Sequence, residues 1–66
     1  MEKLTQRDLL ELREAISIAL EQTNEEISII PASEYYDEIF EFMILKAKNY
    51  INLLERIEEQ LKQLQR

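Results

Sequence analysis

Residues 36–64 read YDEIFEFMILKAKNYINLLERIEEQLKQL, and the spacing of apolar side chains in this stretch decides the fold. Every third or fourth residue gives Tyr36, Phe40, Met43, Ala47, Tyr50, Leu54, Ile57, Leu61 and Leu64, and none of these nine is charged. Alternating steps of four and three put one side chain per turn on a single stripe, because an α-helix closes a turn in 3.6 residues. Such a stripe lies against other helices. The spacing predicts a helix over 34–64, roughly 45 Å long at 1.5 Å per residue.

Upstream of it, Pro31 stops whatever helix precedes it. It has no N–H to donate, and its ring pushes Ile30 toward extended geometry. Ser33 is placed to cap the second helix, with Glu34 and Asp37 in the first turn, where the helix dipole favours anions. Before the proline, Leu9, Leu12, Ile16, Ala19, Thr23, Ile27 and Ile30 form another stripe, so a first helix is predicted over 6–29. Thr5 is a suitable N-cap and Asp8, three residues on, completes an approximate capping box. Thr23-Asn24 followed by Glu25-Glu26 is the weakest point for helix propensity and the place where a kink would come. A turn over residues 30–33 is short enough to force the helices antiparallel. The expected architecture is all-α, a single helical-hairpin domain over 1–66. Its expected core is Leu9, Leu12, Ile16, Ala19, Tyr36, Phe40, Met43, Ala47, Tyr50, Leu54 and Ile57.

One hairpin cannot cover the second helix. Its stripe is flanked on one side by Tyr35, Ile39, Phe42 and Leu53, and on the other by Ile44 and Ile51. Together these span about 200° of the helix, more than one neighbour buries. From Glu55 onward only Ile57, Leu61 and Leu64 remain apolar, and a 24-residue first helix is expected to stop nearly two turns short of that end. Phe42, Ile44, Ile51, Leu53, Leu61 and Leu64 are therefore the expected protein interface. A homodimeric four-helix bundle, or a homotetramer, is the simplest way to close it, and a different protein supplying the missing helices is equally allowed. A charge on this face, such as Ile51→Glu, is expected to abolish association. Ile18 and Ile29, nearly aligned on the opposite side of the first helix, hint at a second contact surface.

Composition points the same way. Sixty-six residues form a small core, and chains of this size draw on disulfides, metals or a partner chain. Cys and His are both absent, so neither disulfides nor the best zinc ligands are available, and the expectation is a protein of a reducing, cytoplasmic compartment. No apolar run approaches a bilayer span, and the opening Met1-Glu-Lys-Leu does not begin a signal peptide.

Catalysis is disfavoured for the same compositional reason. Without His or Cys the usual general base and the strongest nucleophile are missing, Ser17, Ser28 and Ser33 have no base partner, and no Gly is present to build an anion cradle. Glu34, Asp37, Glu38 and Glu41 share one helical side. Calcium, however, takes its oxygens from a wrapping loop, and di-iron bundles need a Glu-x-x-His pair. No metal and no cofactor are expected, and the four acids read as a solvated flank.

Charge is unevenly placed along a chain of net charge −6. Residues 14–45 carry eight acids and no base, residues 1–13 three of each, and residues 46–66 five bases and three acids. Direct binding to nucleic acid or to a membrane surface is disfavoured by that balance. Aromatic side chains crowd the acidic region, so Glu34, Tyr35, Asp37, Glu38 and Glu41 form a candidate acidic-aromatic tip for a partner with a basic surface.

The leading expectation is a non-enzymatic protein–protein interaction module, a small oligomeric adaptor, chaperone-like or regulatory protein. One alternative is an acidic decoy that inhibits a nucleic-acid-binding protein, its carboxylates standing where phosphates are expected; steep salt dependence would mark it. Another is a purely structural homo-oligomer, with no apolar patch left once assembled. In size, short turn and a tyrosine soon after the turn, the chain resembles in architecture the small co-chaperones of type III secretion. No functional residue is carried over from them.

Overall fold

Thr5 opens the first helix through reciprocal hydrogen bonds. The Asp8 N–H donates to Thr5 Oγ1 at 3.1 Å and the Thr5 N–H donates to Asp8 Oδ2 at 3.0 Å. Two of the otherwise unpaired donors of a helix start are thereby satisfied. Thr5→Ala is expected to lower stability by about 1 kcal/mol, read from the urea midpoint at unchanged slope; no shift would mean the first turn frays in solution.

The structure, a computed structural model, describes residues 3–65. Helix α1 runs from Gln6 to Ser28 and α2 from Asp37 to Leu64, antiparallel in a hairpin 49 Å long, with no strand among the described residues. Helix α1 passes through Thr23-Asn24 without interruption. The Thr23 hydroxyl donates to the Ala19 carbonyl at 2.8 Å, so this buried residue leaves no polar group unpaired. Residues 29–33 make the turn, and Ser33 Oγ accepts from the Tyr35 N–H at 3.3 Å. It caps a 3-10 turn, Glu34–Tyr36, which leads into α2.

The core is a single seam. Leu9, Ile57 and Leu61 form its buried cluster, with Ile16 packed against them, and Met43 and Ala47 are buried nearer the turn. Arg13 and Glu58 are joined across the helices at 3.0 Å. That pair and the Leu9 cluster fix the register: Gln6 stands level with the end of α2, and Ser28 with about Phe42.

Three expectations are corrected by this register. Leu61, expected at an interface between chains, is 4% exposed and lies inside the hairpin against Leu9. The excess length of α2 lies at the turn, because residues 29–36 consume height before α2 begins and α1 reaches the far end. Phe40, and Leu12 on α1, expected in the core, are 42% and 41% exposed. Phe40 projects beyond the end of α1, with turn residues on one side and Ile44 of its own helix on the other, whereas Leu12 lies on the flank of its stripe.

Candidate association surface

Each helix carries apolar residues on the flanks of its stripe, and the antiparallel arrangement decides which flanks share a broad side of the hairpin. Two right-handed helices running in opposite directions bring like-handed flanks together. Arg13 and Glu58 lie about 40° and 60° round from their stripes in the same sense, and the structure joins them. Ile44 and Ile51 of α2 fall on that side, where α1 offers Leu20 among the polar Ser17, Asn24 and Ser28. The other broad side carries more of the exposed apolar side chains. There α1 contributes Leu12 and the half-buried Ala19, and α2 contributes Ile39, Phe42, Leu53 and Leu64.

The exposure of these side chains is large. Phe42 is 65% exposed, and Ile39, Leu53, Leu64 and Ile51 are also exposed; Ile44 is half-buried. Of the expected interface residues, the structure thus leaves Phe42, Leu53 and Leu64 open on one side and Ile51 and Ile44 on the other. Leu45 and Leu4 are exposed too, and neither belongs to an apolar stripe. Leu45 lies off both flanks of its helix. Leu4 precedes the helix, where periodicity gives no signal, yet with Lys3, Leu9, Gln60, Gln63 and Leu64 it lines a hollow at the open end of the hairpin.

The total accessible surface says the same in one number. It is 5805 Å² for an 8.0 kDa chain, roughly 1,350 Å² above the ~4,450 Å² of a compact monomer of that mass. A two-helix rod closes one seam and leaves the rest in water.

No protein-family model, no curated protein and no solved structure matches this chain.

The tip is the other distinctive region. Tyr35 is 82% exposed and packs edge-to-face on Tyr36, ring centroids 5.0 Å apart. Glu34, Asp37, Glu38 and Glu41 surround the pair, all exposed. Among the described residues the ion pairs, Arg7 with Glu11 and Arg13 with Glu58, both lie toward the open end, and the tip carboxylates face solvent without a cation. Nor do three or more carboxylates gather in an arrangement that could hold a metal ion, among the described residues. No helix among them is long and apolar enough to cross a membrane.

Proposed function

We propose that this chain is a protein-interaction module without chemistry of its own, which associates through the apolar flanks of its hairpin into a four-helix bundle. The observation that carries this is the exposure of Ile39, Phe42, Leu53 and Leu64 beside Leu12 on one side of the molecule. An apolar patch drawn from two helices and of this extent is what interaction sites present and what monomers avoid. The excess surface accommodates it, since a stable complex buries about 800 Å² per partner. A chain with neither His nor Cys also has little with which to run acid–base or nucleophilic steps.

Absolute mass by light scattering behind a sizing column, with circular dichroism on the same peak, tests the reading. A helical dimer is the expected result. A helical monomer at concentrations of hundreds of micromolar would overturn self-association.

A second reading rests on the tip. Its uncompensated carboxylates favour a partner with a basic surface, and a nucleic-acid-binding protein is one such partner. Binding of that kind weakens steeply with added salt and competes with DNA or RNA; a salt-insensitive partner interface counts against it.

A further inference from the structure

Electrostatics and shape together say how two copies would lie. Residues 21–48, which make the turn half of the hairpin, carry seven acids against two bases, whereas the remainder carries seven acids against six bases. Two copies side by side with turns at the same end would stack the two strongly negative halves. Turning one copy end for end puts each negative half beside the other's near-neutral one, which is the cheaper arrangement at any salt where charge is felt.

Shape makes the same choice. Phe42 stands at the turn end of the apolar side. The hollow at the open end is lined by Leu4, Leu9, Gln60 and Leu64, with Lys3 at its margin, and Gln60 and Leu64 fall on the same broad side of α2 as Phe42. Phe42 and the hollow lie at similar distances from the middle of α2, so a two-fold axis crossing the docking face at the height of residue 51 brings each Phe42 level with the other copy's hollow. Lys3 then stands toward the other copy's acidic turn end.

We propose that a second copy of this chain docks antiparallel on the side bearing Leu12, Ile39, Phe42, Leu53 and Leu64, each Phe42 seated in the other's open-end hollow. The inference rests on the self-association proposed above and adds the face and the direction.

The chain contains no cysteine, so a single Ala32→Cys substitution at the exposed turn labels one site per copy. In the antiparallel dimer two spin labels there would stand at opposite ends of an assembly whose halves are 49 Å long. A double electron–electron resonance distance of roughly 45 Å or more is expected, against under about 25 Å for turns side by side on helices about 10 Å across. Phe42→Glu is expected to weaken the dimer at least tenfold, whereas Ile51→Glu, which the sequence pattern alone put at the interface, stands on the Arg13–Glu58 side and leaves the mass that of a dimer. A dimer with a short label distance overturns the direction, and one broken by Ile51→Glu and spared by Phe42→Glu overturns the face; both leave self-association standing. A monomeric unsubstituted chain overturns this inference together with the reading it rests on.

Discussion

Leu9→Ala is expected to destabilise the chain by about 3 kcal/mol, the largest effect of any single truncation in the seam. Leu9 is 2% exposed and is the meeting point of the buried cluster, touching α2 where Ile57 and Leu61 face inward, with Ile16 on its own helix. Removing three carbons there forfeits their transfer from water and leaves a void that two rigid helices close poorly. Domains of this size hold only a few kcal/mol in reserve. The variant should therefore show a urea midpoint near zero and lost helicity at room temperature. Unchanged helicity and midpoint would mean that the open end of the hairpin is not closed in solution.

Ala47→Leu should also destabilise, by about 2 kcal/mol, although it adds apolar surface. The register set by Arg13 and Glu58 brings Ala47 level with Thr23. Both are small and buried, 7% and 2% exposed, so the helices approach closely at this waist. A leucine has no room there without pushing the helices apart or leaving its preferred rotamers. Thermal melts read the result. A raised melting temperature would show that the waist holds space the larger side chain can fill.

Much of this was legible in the sequence because it is local. The four-and-three spacing through Met43, Ala47, Ile57 and Leu61 needs only helical geometry to become a seam, and all four are buried. Thr5 with Asp8, and Pro31 between the stripes, mark ends by chemistry that acts within a few residues. What was not legible depends on how many residues the turn consumes. Glu34–Tyr36 folds as a 3-10 turn and α2 starts only at Asp37. The register slides accordingly, which drew Leu61 into the core and left Phe40 in water. Which flank residues share a broad side is likewise a property of two helices, and no single stripe contains it. For the candidate surface, the apolar flanks of α2 were visible, whereas the pairing of Phe42's side with Leu12, and the hollow beside Leu4, belong to the tertiary arrangement.

Pro31 has one more consequence. Without it, residues 6–64 could run as a single rod of roughly 88 Å, and two such rods could exchange their second halves and close a bundle by lending each other a helix. A proline inside that rod costs about 3 kcal/mol and a backbone hydrogen bond, so the lending route is disfavoured and each chain keeps its own helices. In the proposed dimer, copies would then meet and part as finished units, trading partners on the timescale of docking rather than of unfolding.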